Sequence, residues 1–279
     1  MQDTEFHLGE QVIAGLDNQG TGPVVIGLHG FLDNASSLQP LAPYLQRTRF
    51  ISLDLPGHGL SSHRPPGAQY NQADYLQDLY ALIEQQQWDK VILLGHSLGG
   101  ILASIFAGLF PERVAGLISL DVCGPLTEDA STTAKQMRES IVNRHQKRRN
   151  QLKPVELDKA VEARCSVADI APEQARVILS RNLTQDASGH SFWASDPRVR
   201  TRSTLRLTES QAKAIMQQID CPILFTAASR SFKKTAMVYQ QRASWFANAR
   251  CENIEGGHHA HMEAPDESGP LIRAFVEQL

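Results

Sequence analysis

The sequence predicts an α/β protein: a mostly parallel sheet flanked by helices, with a helical cap inserted after the strand ending at Asp121. Three observations predict it. Short apolar runs alternate with segments of helical period along the chain. Each run opens into a loop bearing Gly, Pro, His or Ser. One interval, from Asp121 to Cys221, is about 100 residues long, where a single crossover helix needs roughly 10 to 15.

Taken in order, Phe6 to Leu16 suits an antiparallel hairpin or edge strand. Strands are expected at Val24 to Leu28, Phe50 to Leu53, Val91 to Leu94, Val114 to Leu120, Ile223 to Thr226 and Arg250 to Ile254. The clearest helix is Asp74 to Gln87, with Tyr75, Leu79, Leu82 and Ile83 on one face; further helices suit Gly99 to Phe110, Thr208 to Ile219 and Pro265 to Leu279. The long interval has no strong strand run and is rich in polar, helix-compatible segments. The chain therefore divides into a first core part (1–123), a helical cap insertion (124–207) and a second core part (208–279).

Composition excludes several classes. With 279 residues, 42% hydrophobic and 20% charged, the chain is neither disordered, collagen-like nor a coiled coil. Lys and Arg number 27 against 30 Asp and Glu, a net charge of −3, which does not suggest a nucleic-acid or membrane-surface binder. The charge is unevenly spread: Lys135 to Lys153 carries Lys135, Arg138, Arg144, Lys147, Arg148, Arg149 and Lys153 against Glu139 alone. That stretch is either a solvated helix face or an attractor for an anionic substrate or partner. Cys123, Cys165, Cys221 and Cys251 are scattered without CxxC spacing, as in a reduced compartment. The first residues, Met1 to Glu5, lack an apolar stretch, so no signal peptide is expected and the location is read as cytoplasmic. Val91 to Phe110 is free of Lys, Arg, Asp and Glu, but Gly95-His96-Ser97-Leu98-Gly99-Gly100 at its centre suits a strand, sharp turn and helix better than a membrane span.

That segment carries the chemistry. Lys90 to Gly100 reads KVILLGHSLGG, a strand running into Gly-x-Ser-x-Gly and then an apolar helix. This is the pattern of a nucleophile elbow, a turn so tight that small residues are needed two positions before and after the serine. Ser97 is the candidate nucleophile, and the helix N-terminus behind it offers free N–H groups. Val24 to Phe31 reads VVIGLHGF. In this architecture its loop lies beside the elbow, so the backbone N–H groups of Phe31 and Leu98 are the candidate oxyanion hole. His29 precedes the nucleophile and reads as a structural histidine.

The base should follow the serine and the acid in chain order. Gly256-Gly257-His258-His259-Ala260-His261 follows the last strand and precedes the final helix. His258 directly after the glycine pair is the candidate base. His261 is expected inside the start of the final helix and His259 to point elsewhere. A His-rich metal tract is the competing reading, but no separated carboxylate or cysteine pattern supports one. For the acid, the usual slot after the next-to-last strand is empty, since no Asp or Glu occurs from Cys221 through the strand and loop Ala228-Ser229-Arg230-Ser231 up to Cys251. Asp121, one strand earlier at the end of GLISLD, is the candidate. Asp220, Glu252 and Glu255 are weaker alternatives by position, and Asp54 and Asp33 read as turn residues.

Together HGF, DLPGHGLSS, GHSLGG and GGHHAHME resemble the α/β-hydrolase superfamily. HGFLDNASS, GHSLGGILA and FWASDPRVRTRSTLRLT are similar to the serine hydrolase-like protein family within it. The resemblance runs from about Val24 to the last helix. It implies the α/β-hydrolase fold and a serine nucleophile, while the DPR-x-R segment marks the subgroup and assigns no chemistry. Related bacterial esterases with an Asp in a strand-end LD motif after the elbow use it in the triad, which implies the same for Asp121. Eukaryotic relatives are associated with peroxisomes, but Glu277-Gln278-Leu279 is not a peroxisomal address.

The expected activity is that of a serine esterase, a hydrolase cleaving a small or medium carboxylic ester through an acyl-enzyme on Ser97. Its expected partner is a small-molecule ester, with no nucleic acid and no membrane span, and the chemistry needs no metal or organic cofactor. A non-catalytic binding protein retaining the fold, and an acyltransferase using the same triad, remain alternatives.

Overall fold

Apolar runs rich in Val, Ile and Leu are stable as strands only where both faces of the sheet are covered. The computed structural model, which describes residues 1–147, 153–231 and 234–279, gathers them into one eight-stranded sheet of order β1-β2-β4-β3-β5-β6-β9-β10. β1 (Gln2–Leu8) and β2 (Gln11–Asp17) form the antiparallel hairpin expected near the N-terminus. β2 pairs antiparallel with β4 (Arg49–Leu53). From there β3 (Val24–Leu28), β5 (Val91–His96), β6 (Val114–Leu120), β9 (Ile223–Ala228) and β10 (Ala249–Ile254) are parallel. All six residues of β5 are buried.

One face of the sheet is covered by α1 (Gln72–Gln85) and α2 (Leu98–Leu109), the other by α9 (Pro265–Val276) and the 3₁₀ turns at Ala35–Tyr44. α1 starts at a capping box between Asn71 and Asp74 and buries Tyr75, Leu76, Leu79, Leu82 and Ile83, the i, i+4, i+7 stripe legible in the sequence. Phe106 and Phe225 are fully buried in the larger core, each worth about 1.5 to 3 kcal/mol on burial. Behind β6 comes α6 (Glu209–Met216), which begins one residue later than expected because Thr208 is its N-cap.

The segment between β6 and β9 holds α3 (Thr133–Lys147), α4 (Leu157–Val167) and α5 (Pro172–Arg181). It also holds an antiparallel hairpin, β7 (Leu183–Gln185) with β8 (Ser191–Trp193), where only helix was expected. Three-residue strands are too short to give a period-2 signal. The segment has a small core of its own, Val161, Ile170, Ala175, Ile178 and Leu179, which packs on Met262 from the second core part. On α3, Lys135 and Arg138 are exposed; Arg148 and Arg149 of the basic stretch lie outside the described residues.

The DPR-x-R segment has a structural part. Asp196 caps a 3₁₀ turn over Pro197–Arg200, and Arg198 Nε returns to its Oδ2 at 2.9 Å. Arg198 Nη1 also donates to Pro65 O at 2.9 Å, and Tyr70 Oη donates to Asp196 Oδ2 at 2.8 Å. These contacts fasten the segment to the loop after β4.

Chain order reverses at β3, which pairs with β4 on one side and β5 on the other. At such a switch point the loops leaving neighbouring strands diverge and open a crevice at the carboxyl ends. Leu28 stands opposite Gly95 there, which brings the Phe31 loop beside the Ser97 turn. Contact between the two is close. A Cβ on Gly99 would sit 1.9 Å from Leu28 O, and one on Gly95 would sit 2.4 Å from Gly99 O. Neither backbone neighbour can move without shifting the central strands. Gly99→Ala is therefore expected to lose at least about 2 kcal/mol, read as a lowered urea midpoint; an unchanged midpoint would contradict the close approach. Among the described residues no helix is long and apolar enough to cross a membrane. Val91 to Phe110 divides into β5, the turn and α2.

Candidate active site

β5 ends at His96, and Ser97 follows in the left-handed region at φ 50°, ψ −112°. Such a backbone costs about 1 to 3 kcal/mol and persists only where the surroundings over-determine it. Here Ser97 N–H donates to Leu120 O of β6 at 3.1 Å and Ser97 O accepts from Ile101 N–H at 3.0 Å, so both sides of the turn are held. The serine is half-buried at the strand tip. Leu98 is the first residue of α2, where backbone N–H groups lack an intrahelical acceptor.

Asp121 follows β6 and is also left-handed, at φ 52°. Its N–H donates to Thr226 O at 3.0 Å, which turns the carboxylate over the end of β9. Oδ1 accepts from Ala228 N–H at 3.1 Å, and Oδ2 accepts from the Ser231 hydroxyl and lies 2.6 Å from His258 Nδ1. Asp121 is only 4% exposed. A carboxylate accepts, so Nδ1 carries a proton, and in the neutral ring Nε2 is then the accepting nitrogen. That is the state a general base requires.

The structure therefore brings Asp121 to His258, and Asp121 and Ser97 follow the paired ends of β6 and β5, where His96 stands opposite Leu120. Asp220, Glu252 and Glu255 do not join them. Ser231 escaped the sequence reading. It occupies the loop after β9 that holds no carboxylate, and there it donates to the acid supplied by β6. The signal was the emptiness of the slot: a strand-tip loop facing a carboxylate needs donors, and a serine supplies one.

His29 is structural, as expected. Its Nε2 accepts from Leu55 N–H at 3.0 Å and its Nδ1 donates to Gly30 O at 2.7 Å, so the ring pins the start of the Phe31 loop. Burial pushes its pKa down to about 4. Asp54 is a turn anchor that accepts from Ala35 N–H at 2.8 Å and Leu60 N–H at 3.0 Å, and also pairs with Arg181 of α5. Phe31 itself is half-exposed at the crevice. His261 lies in a separate four-residue helix, α8 (Ala260–Glu263), and not in α9, because Pro265 begins a new helix. It is buried, as is His259.

Asp33 does more than the turn role expected of it. Its N–H closes a turn onto Gly30 O at 3.1 Å, Oδ1 accepts from Arg164 of α4 at 2.8 Å and Oδ2 accepts from His259 Nε2 at 3.1 Å. Burial alone would raise its pKa, but His259, His96 and Arg164 outweigh it and hold the carboxyl well below the usual range. Asp33, His96 and His259 offer three donor atoms within 4.8 Å of one another, a ligand set that zinc accepts. Both oxygens of Asp33 already accept hydrogen bonds, and the Arg164 guanidinium beside them opposes a second cation. The cluster reads as a hydrogen-bonded network.

With this geometry in view, the model of the alpha/beta hydrolase fold matches residues 23–265. The chain belongs to that family. A serine hydrolase-like protein of Danio rerio is 30% identical over 92% of this chain and 82% of its own. The crystal structure of a hypothetical protein from Pseudomonas aeruginosa PAO1 superposes with a TM-score of 0.88 at 33% identity, covering 99% of this chain and 98% of that one. The thioesterase domain from the curacin biosynthetic pathway, at 23% identity and a TM-score of 0.81 over 99% of both chains, shares the fold. The chain is thus an α/β hydrolase similar to serine hydrolase-like proteins, and the HGF, GHSLGG and GGHHAHME segments predicted the family correctly.

Burial of His29 has a consequence for stability. The unfolded chain takes a proton near pH 6.5, the folded ring only near pH 4, so stability falls as pH drops between these values. The loss from this ring alone amounts to about 2 kcal/mol at pH 5. Urea unfolding at pH 7 and pH 5 should show a pH dependence shallower by that amount in His29→Gln than in the wild type. Equal pH dependence in the two proteins would disprove the assignment.

Proposed function

We propose that this α/β hydrolase is a serine esterase that cleaves a small or medium carboxylic ester through an acyl-enzyme on Ser97. The observation that carries the reading is the 2.6 Å contact of His258 Nδ1 with Asp121 Oδ2, at the strand tips beside a serine at φ 50°. His258 Nε2 takes the Ser97 proton as Oγ attacks the ester carbonyl. The Phe31 and Leu98 N–H groups receive the charge that develops on the carbonyl oxygen. Asp121 holds the ring orientation and balances the imidazolium. Collapse of the tetrahedral intermediate breaks the C–O bond, and His258 returns the proton to the leaving alcohol. Water then enters, loses a proton to His258 and attacks the acyl carbon; Ser97 leaves with that proton and the carboxylic acid is released. Each oxyanion donor contributes about 3 to 4 kcal/mol, and the base about 10² to 10⁴ in rate.

The segment 124–207 acts in this reading as a cap over Ser97 that selects the substrate by shape. Its attachments support that part: Arg164 to Asp33, Arg181 to Asp54 and Asn34 Nδ2 to Ile178 O at 2.6 Å all join it to loops at the carboxyl end of the sheet. The four cysteines are free, which suits a reducing, cytoplasmic setting.

A fluorophosphonate probe should label the folded wild type at Ser97 and leave Ser97→Ala unlabelled. A folded wild type that resists the probe would sink the enzyme reading in favour of a binding protein. Across p-nitrophenyl esters of increasing acyl length, turnover should peak at short or medium chains, and product analysis with added alcohol should give acid rather than a new ester. Predominant transfer to the alcohol would make it an acyltransferase. Asp121→Asn should lower kcat by about 10²- to 10⁴-fold at neutral pH; near wild-type turnover would remove Asp121 from the triad.

A further inference from the structure

The residue before the nucleophile is a fully buried histidine whose side chain serves no step of the mechanism above. His96 Nε2 lies 2.8 Å from the backbone oxygen of His258. A carbonyl only accepts, so the proton is on Nε2 and the tautomer is defined. Nδ1 has no hydrogen-bond partner and faces Asp33 Oδ2 at 3.6 Å. The ring centroid lies 4.7 Å from that of His258, 5.0 Å from His259 and 4.3 Å from His261. One imidazole thus touches every histidine of the late cluster, and its own main chain continues into Ser97.

We propose that His96 is a positioning residue that locks the main chain of His258 to the nucleophile turn, with Asp33 holding the other side of the lock through His259. The inference rests on the esterase reading and extends it to how the base is placed. The Asp121 bond holds the His258 ring at Nδ1. The His96 bond holds its carbonyl, and the His259 bond to Asp33 holds the next residue. Ser97 and the base are then spaced by one side chain rather than by two independent loops. A displacement of 1 Å between reacting groups can cost about 10²-fold in rate, which is the scale of effect such a brace controls.

An apolar side chain would fill the same space without stranding a buried nitrogen, but it would leave the His258 carbonyl without a donor. Burial does push His96 down to about 4, so the ring stays neutral and keeps one donor for one carbonyl. Asp33 extends the brace outward. Its backbone lies in the Phe31 loop, its Oδ2 takes His259 and its Oδ1 takes Arg164 of α4 at 2.8 Å. Loops carrying the oxyanion donor, the base and the inserted segment therefore meet on a single carboxylate.

The test compares two amides of similar polarity. In His96→Gln the amide nitrogen reaches the position of Nε2 and can donate to His258 O; in His96→Asn it falls short, near the position of Nδ1. His96→Asn is expected to lower kcat for a short-chain p-nitrophenyl ester about 10- to 100-fold with KM within threefold, and to slow fluorophosphonate labelling of Ser97 equally. His96→Gln is expected to recover to within about fivefold of wild type. A merely structural role would move melting temperature and leave the two amides alike in rate. A readout independent of turnover is the low-field proton resonance of His258 Nδ1–H on Asp121, identified by its loss in Asp121→Asn. It should be displaced or broadened in His96→Asn and kept in His96→Gln. If wild type neither labels nor turns over, the esterase reading fails, and this resonance alone decides the positioning role. Should His96→Asn not fold, Asp33→Asn takes its place, with a smaller loss of kcat at unchanged KM and the same displaced resonance. Wild-type kcat and labelling together with an unmoved resonance in the folded variant would overturn the proposal.

Discussion

A serine at φ 50° survives only in a turn whose two sides are held from outside, and that requirement organises this molecule. Ser97 is held below by Leu120 of the neighbouring strand and above by the first turn of α2. The helix in turn can approach only because Gly99 carries no side chain against Leu28 O. The central strands therefore have to be parallel, fully buried and in fixed register, since a slip of one residue would turn the apolar set outward and separate the loops. The two cores on either side of the sheet supply the packing that maintains this register against the strain.

Once β3 and β5 are neighbours, the rest of the site follows from strand order. β6 lies beyond β5 and delivers Asp121; β9 lies beyond β6 and delivers Ala228 N–H and the Ser231 hydroxyl to that carboxylate. β10 comes last and sends His258 back across both. The carboxylate that meets His258 thus stands one strand inward from the slot after β9, and its surroundings are hydrogen-bonded. A serine in the vacated loop turns an absence into a donor. The arrangement works because neighbouring strand tips are about 5 Å apart, a distance one histidine ring can span from either of them.

Beneath the site lies a group of buried polar side chains, His29, His96, His259, His261 and Asp33, where an apolar filling would pack more simply. Three of their polar atoms are tied to backbone at loop ends, His29 to Leu55 N–H and Gly30 O and His96 to His258 O, and Asp33 joins His259 to Arg164. A buried polar network is costly and directional, and here the direction is toward the three loops that carry Phe31, Ser97 and His258. The inserted segment joins this network through Arg164 and Arg181, so its seat on the sheet and the shape of the site are set by the same carboxylates.

Much of this was legible in the sequence, for a local reason. The five-residue elbow, the strand that feeds it and the α1 stripe are patterns of contiguous residues, and short-range sterics and period decide them. The pairing of Asp121 with His258 was legible by elimination, since the loop after β9 is bare of carboxylates. The partners of Asp33, the donor role of Ser231, the reach of His96 to His258 and the hairpin at Leu183–Trp193 were not legible. Their hydrogen bonds join residues 110 to 226 positions apart, or they rest on strands too short to carry a period. A turn-forming aspartate reads the same whether its carboxylate meets water or an arginine and a buried histidine, because only the packing of distant elements decides what fills the space beyond it. The residue types and their order came from the chain; the hydrogen-bond partners that orient them came from the folded sheet.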